Sequence, residues 1–400
     1  MLRHLLKLIW KRKSRNMMLS LEILLAFLIV FGIAAFATRN YQLYQMPTGF
    51  AWRDQWSVSI RAAQDIPNDA AMYDTLKRSL LDLPEVEKVA FTSFGPYEMS
   101  RWTSKYSLPD GSQKLVIDGL AVTDDFFAAM QMTPAEGRWF SSADDAADAA
   151  PVVINRRLAD KLFPGKSAVG QIYISADSKD KEKPQQRYRV SAVVEHFRPH
   201  GEYMDPRDFM LPRFIPGVGK DPAMTIMLKL KPGTPRSFES KLNTRLKQLH
   251  SEWSYVIVPL SEGRKSMLTT QMIPLMILSV IAAFLLVMVA FGLFGVLWQN
   301  TTQRIPEIGL RRALGADAGS IYRQIIAEQL LLSSGAIVVA LVLLVQLPLT
   351  GVFGDSLNWT VFLASAALSA GVIYLLSLLC SLYPGWRAAR LSPTQALHYE

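Results

Sequence analysis

Residues Gln303–Gln324 read QRIPEIGLRRALGADAGSIYRQ. This short, charged, helix-prone stretch lies between two long apolar runs, Met272–Trp298 and Leu330–Leu347, and neither run holds a charge. Runs of that kind cross a membrane, so the charged hinge between them must stand in water on one side. Arg304, Arg311, Arg312 and Arg323 assign it to the cytoplasmic side. Local chemistry favours a helix here: Pro306 fits the first helical position, and Glu307 suits the positive N-terminal end. Arg311 and Arg312 follow further on, and Gly315 is a natural stop.

Working outward, the preceding run holds fifteen Leu, Ile, Val or Phe residues between Leu275 and Leu297. On an insertion scale they favour the membrane by roughly 5 to 9 kcal/mol. Pro274 stands where this span would continue outward and predicts a bend. A third span is expected at 325–347, with Glu328 one turn from its cytoplasmic end. An outer turn at 348–356 lacks Lys and Arg, as an outside connection should. The fourth span, 357–380, leads to a cytoplasmic tail, 381–400, carrying Arg387 and Arg390.

Toward the N-terminus, residues 39–271 are polar. Strand-like runs occur at Trp56–Ile60, Val86–Phe91, Lys114–Leu120, Arg187–Val194 and Met224–Leu230. Helical patterns fall at Asp69–Leu83, Asn155–Phe163 and Pro235–Ser251. Strand–helix–strand appears near the start and again near the end, where Tyr255–Pro259 supplies the last strand. The middle reads as an insertion with a polar loop at Asp177–Gln186. The expectation is a two-lobed α+β domain large enough for its own core.

The first span, 17–38, covers Met17–Ala37, about 31 Å of helix. Its one charge is Glu22, which near the cytoplasmic end reads most simply as an interfacial residue; the other reading is a contact to a neighbouring helix. Ala35-Phe36-Ala37 fits a signal cleavage pattern, but the apolar segment exceeds the usual signal core and is taken as a retained anchor. Before it, residues 1–16 place Leu2, Leu5, Leu6 and Ile9 on one face, with Arg3, Lys7 and Lys11 largely off it. This is the pattern of an amphipathic helix on the cytoplasmic membrane surface.

The fold class expected is therefore a membrane protein: four transmembrane α-helices, with a large α+β extracytoplasmic domain between helices 1 and 2 and both termini inside. Half the residues are hydrophobic and the net charge is +9. That charge reads as flanking charge and membrane-lipid attraction rather than nucleic-acid binding, since no basic stripe with stacking aromatics is present. Cys380 is the sole cysteine, so disulfides within the chain are excluded and a packing role is expected.

Possible chemistry is thin. Gly165-Lys166-Ser167 suggests a phosphate loop, but Asp160 stands where that motif needs glycine. No nucleotide motif remains, so catalytic residues, cofactor and metal are expected to be absent. His196, His200, Glu195, Glu202 and Asp205 could suggest a metal; Pro199 interrupts the pair, and a solvent-facing loop is the default. The spans carry Ser333, Ser334, Ser365, Ser369 and Ser377 but no charge at mid-depth, which suits helix packing better than a polar pathway.

Glu307-Ile308-Gly309-Leu310-Arg311-Arg312-Ala313-Leu314-Gly315-Ala316 resembles the cytoplasmic coupling segment of MacB-type permeases of the FtsX-like ABC-transporter superfamily. Glu328, the tail Tyr383–Glu400, and Asp125-Phe126-Phe127, Gly137-Arg138-Trp139-Phe140, Pro151–Asn155, Leu162-Phe163, Val169-Gly170-Gln171 and Tyr188–Val194 in the outer domain are similar to that family as well. Pro306, Gln395 and His398 depart from its usual residues. The resemblance implies a permease that transmits ATP-driven motion to its outer domain, for export or extraction of a peptide, lipoprotein or antibiotic-like molecule. The alternative is an FtsX-like regulator of a cell-wall hydrolase that moves no solute. It also implies partners: two copies of a cytoplasmic ATPase holding ATP and Mg, a second identical or paralogous permease, and an extracytoplasmic protein. Coupling would fall to Glu307, Ile308, Gly309, Leu310, Arg311, Arg312, Leu314 and Gly315, in a bacterial inner membrane.

Overall fold

The computed structural model describes residues 13–176 and 185–390. The amphipathic stretch 1–16, save its last four residues, lies outside them, as do most of the polar loop at Asp177–Gln186 and the tail from 391. Among the described residues, four helices are long and apolar enough to cross a membrane. The chain divides into two compact units, residues 1–42 with 272–400, and residues 43–271.

Helix α1 (Lys13–Gln45) comes first. The second unit then contains β1 (Gln55–Arg61), α2 (Ala70–Leu81), β2 (Val86–Thr92), β3 (Trp102–Ser107), β4 (Leu115–Gly119), α3 (Phe126–Ala129), β5 (Glu136–Gly137) and β6 (Ala150–Asn155). It continues with α4 (Arg156–Leu162), β7 (Ile172–Ser175), β8 (Arg187–Val194), β9 (Phe209–Pro212), β10 (Thr225–Leu230), α5 (Phe238–Leu249) and β11 (Ser254–Pro259).

One lobe is a four-stranded antiparallel sheet in the order β11-β1-β10-β2. Its connectivity, β1-α2-β2 and β10-α5-β11, is the split βαβ arrangement. Helices α2 and α5 cover one face; Leu76, Leu80, Leu242 and Leu246 are fully buried there against Val58, Ile226 and Leu228. Asp69 starts α2 by accepting from the Ala71 amide at 3.2 Å, and Asn155 starts α4 by accepting from Leu158. The other lobe is the insertion between β2 and β10. Its strands run β5-β8-β6-β9-β4-β3-β7, and a further β7–β8 pairing closes the ring. Closure removes the free edges of a sheet. Tyr106, Tyr173, Ile117, Val152, Val190 and Met210 fill the interior. A third cluster joins the lobes, with Ala90 and Met227 from the open sheet packed beside Leu120, Val153, Phe197 and Phe209.

The membrane unit continues with α6 (Leu260–Thr302), α7 (Ile305–Ala313), α8 (Ala318–Leu344), α9 (Gln346–Thr350) and α10 (Trp359–Ala389). Helix α6 runs 43 residues unbroken through Pro274. That is about 65 Å, twice the thickness of a hydrocarbon core. Serines line the α8–α10 seam: Ser333 and Ser377 share a 2.7 Å hydrogen bond, and Ser334 meets the Tyr374 hydroxyl at 2.8 Å. Ser365, Ser369 and Ser381 are also fully buried. Small residues let helix backbones approach, and hydroxyls bonded within the bundle carry no penalty in hydrocarbon.

Glu22 touches a neighbouring helix. A Cβ built on Gly292 of α6 would fall 2.0 Å from Glu22 Oε1, so the absent side chain is what admits the carboxylate. The interfacial expectation had not included this contact. Gly292→Ala is expected to cost about 1–3 kcal/mol through overpacking. Glu22→Ala in that background should recover most of the loss, because the clash needs both groups. Thermal unfolding of the four chains in detergent measures the coupling; strictly additive losses would show that the two do not meet.

Candidate functional site

Helix α7 has two faces. Ile308 and Gly309 are buried, with Ile308 packed against Ile321 of α8 and Ala388 of α10. Leu310 and Leu314 are 57% and 80% exposed, and Glu307 is exposed beside them. The predicted coupling residues therefore separate into anchors, Ile308 and Gly309, and an outward set, Glu307, Leu310, Leu314 and Gly315, with Arg311 and Arg312 half-buried between. Gly315 ends the helix at φ +93°, a left-handed conformation that favours glycine. The Gly315 and Ala316 amides return to the Arg312 and Arg311 carbonyls at 3.1 and 3.0 Å, a Schellman stop.

Polar side chains tie this helix to the third span. Arg304 pairs with Glu328, both largely buried. Gln324 Nε2 donates to Glu328 Oε1 at 2.9 Å, Arg311 donates to Gln324 Oε1 at 3.1 Å, and its other nitrogen reaches Glu307 at 2.6 Å. Glu328 was legible as an acidic residue early in a span; Gln324, the link between its carboxylate and Arg311, was not. One ion pair, the Arg311–Gln324 hydrogen bond and one buried face therefore join α7 to α8.

A second arrangement occupies the loop around His196–Met204. The sequence suggests a solvent-facing loop there, and the structure corrects this: Phe197, Arg198, Glu202 and Met204 are all buried. Arg198 is 2% exposed and donates to four backbone carbonyls. Its Nη1 reaches Leu43 and Met46 at 3.0 and 2.8 Å, its Nε reaches Met204 at 3.0 Å, and its Nη2 reaches Glu202. Leu43 lies in the last turn of α1 and Met46 just past its end, where the Met46 amide also donates to the Leu43 carbonyl at 3.2 Å. The Glu202 carboxylate in turn pairs with Arg264 in the first turns of α6, and the Arg264 guanidinium lies 4.7 Å over the Trp52 ring. Gln271 Nε2 donates to the His200 carbonyl at 3.3 Å. One loop thus holds the end of α1 and the beginning of α6.

The side chains that suggested a metal have other partners here. Glu202 is taken by Arg264, Glu195 by Arg156, and His200 Nδ1 donates to the Glu98 carbonyl at 2.8 Å. Among the described residues no three His, Cys, Asp or Glu side chains gather to hold an ion. A signal for the clasp did exist: Gly49 and Gly201 both adopt left-handed φ, +90° and +95°. A Cβ on Gly49 would lie 1.9 Å from the His196 carbonyl, so glycine marks where two backbones press together.

Burial lowers the His200 pKa, partly countered by its bond to Glu98. The neutral ring is therefore preferred in the folded chain. Above about pH 6.5 both states are neutral and nothing is lost. As pH falls below that, the unfolded chain takes up a proton that the folded chain resists, and stability declines until the lower folded-state pKa is passed. The urea midpoint should drop between about pH 7.5 and about pH 5.5, and His200→Gln should flatten that slope. An unchanged slope in the variant would assign the titration elsewhere.

A bundle of four membrane helices, a charged helix at the connection between its second and third, and a two-lobed α+β unit between its first and second define a polytopic permease-type membrane protein. Residues 17–244 match the MacB-like periplasmic core domain, and residues 279–393 match the FtsX-like permease C-terminal domain. The chain belongs to this family of MacB-like, FtsX-like permeases, bacterial inner-membrane proteins. Relatives named macrolide export ATP-binding/permease protein MacB include one from Marinobacter nauticus, 24% identical over 86% of this chain and 50% of its own length. Another, from Nitrobacter winogradskyi, is 24% identical over 92% of this chain and 56% of its own. The chain spans about half the length of the curated relatives it matches. Among solved structures, the periplasmic region of MacB from Actinobacillus actinomycetemcomitans aligns with a TM-score of 0.39 at 13% identity, covering 56% of this chain and 97% of that one.

Proposed function

We propose that the chain is the permease of an ABC transporter, passing ATP-driven motion from a cytoplasmic ATPase to its two-lobed domain on the outer side. The observation that carries this reading is the pairing of an outward-facing α7, tied to α8 by the Arg304–Glu328 ion pair, with helices α1 and α6 that run unbroken into the clasped residues. Absence of charge along the middle of the spans favours levers over a polar channel. The hinge and both termini lie in the cytosol. Two permeases, identical or paralogous, work with two ATPase subunits, which hold the ATP and Mg. The substrate is a peptide, a lipoprotein or an antibiotic-like molecule, taken up by the outer domain.

Purification of the tagged full chain in mild detergent, with mass spectrometry of what accompanies it, tests the reading. An ABC ATPase in near-equal amount is expected. Its absence, or labelling of a cysteine placed at Gly315 by an impermeant reagent on whole cells, would overturn the assignment.

A further inference from the structure

At the end of the bundle nearest α7, four rings on α6 and α10 form a continuous stack. Phe294 and Trp298 lie 6.2 Å apart, Trp298 and Tyr383 5.7 Å apart and nearly parallel, and Tyr383 and Trp386 6.2 Å apart. Two guanidiniums lie on this stack, Arg387 over Trp298 and Arg390 over Trp386, each at 4.3 Å from the ring centroid. Both arginines are exposed, and among the described residues neither has a carboxylate partner. This contrasts with Arg304 and Arg311 nearby, which are both ion-paired. A guanidinium lying on a ring keeps its edge N–H donors free while the ring fixes its plane. Three residues apart at the end of α10, where Arg390 is the cap, Arg387 and Arg390 are neighbours about 5–6 Å apart at Cβ. Toward the middle of the bundle, the same helix faces carry Phe291 and Leu379, 71% and 56% exposed.

We propose that this patch binds one anionic phospholipid. Its phosphate bridges Arg387 and Arg390, and its acyl chains run past Phe291 and Leu379. Ordinary interfacial anchoring needs aromatic rings and a basic residue. It does not need two arginines preset on rings with no acidic partner among the described residues. Charge complementarity selects an anionic headgroup over a zwitterionic one, and the apolar flank below selects a lipid over free phosphate. The site stands whether or not an ATPase binds α7.

Native mass spectrometry of the full chain, released from nanodiscs of equal phosphatidylglycerol and phosphatidylcholine, reads the proposal directly. One phosphatidylglycerol should stay bound, and millimolar inorganic phosphate should not displace it. R387Q/R390Q should reduce its retention about tenfold or more, whereas K166Q/K220Q, with the same loss of charge on the other unit, should leave it unchanged. Equal retention in R387Q/R390Q, equal loss in the control, or displacement by phosphate would each overturn the site. Should R387Q/R390Q fail to fold, a photoactivatable phosphatidylglycerol on the parent chain decides. Cross-links confined to the ends of α6 and α10 support the site; cross-links spread evenly over all spans, or a patch buried against a second copy, defeat it.

Discussion

Arg198→Met is expected to lower the unfolding temperature of the full chain by roughly 10 °C. The Arg198 guanidinium is almost fully buried, and the carbonyls of Leu43, Met46, Glu202 and Met204 all accept from it. A methionine fills much of the volume but donates nothing. Each buried carbonyl left unpaired costs about 1–3 kcal/mol, and relaxation of the loop recovers part of that. A net loss of about 3–5 kcal/mol follows, and at about 2–4 °C per kcal/mol for a unit of this size the shift in melting temperature follows too. Arg198→Lys should recover less than half, because one ammonium cannot span a fan of four acceptors. Hydrogen exchange gives the local signature: amides around residues 43–50 and 197–204 should lose protection together in the variant. Loss of protection spread evenly over the two-lobed unit would mean that Arg198 stabilises the fold without clasping the end of α1.

Most of the frame was readable before the structure. Apolar runs, their flanking arginines and the repeat of strand–helix–strand at 56–91 and 224–259 suffice for four spans and a split α+β lobe. Periodicity worked where each element buries one face, as in α2 and α5. It failed for β3, β5, β6, β7 and β9, which belong to a closed ring in which several pairings join segments distant in sequence. The clasp was hidden for a different reason. Histidine, glutamate and arginine in the 195–205 segment look like solvent groups, and only the fold shows that Arg198 satisfies backbone carbonyls 152 and 155 residues away. Glu22 was visible as a charge in a span, whereas its fit against Gly292 depends on two helices meeting in register. In the hinge, the residue types pointed to a coupling helix, but only burial separates Ile308 and Gly309, which hold it, from Leu310 and Leu314, which face outward.

That separation makes the docking role of α7 testable without breaking the helix. Leu310→Asp with Leu314→Asp should abolish co-purification of the ATPase, a loss of at least a hundredfold. Exposed leucines that fill a partner's pocket are the kind of contact that costs about 2 kcal/mol or more each when lost. Neither side chain packs against the bundle, so the melting temperature of the permease itself should hold. The charge test needs more care, because Glu307 and Arg311 pair with each other across one helical turn. Reversing one alone removes that pair, worth about 0.3–0.5 kcal/mol at an exposed site, and confounds docking with helix stability. Exchanging both, Glu307→Arg with Arg311→Glu, keeps an i,i+4 pair while inverting the charges a partner meets. The exchanged chain should lose ATPase binding by tenfold or more yet melt near the parent, less the small cost of a broken Arg311–Gln324 bond. Retained binding in both double variants, measured as ATPase recovered per permease, would remove α7 from the docking surface and leave it a structural strap between the second and third spans.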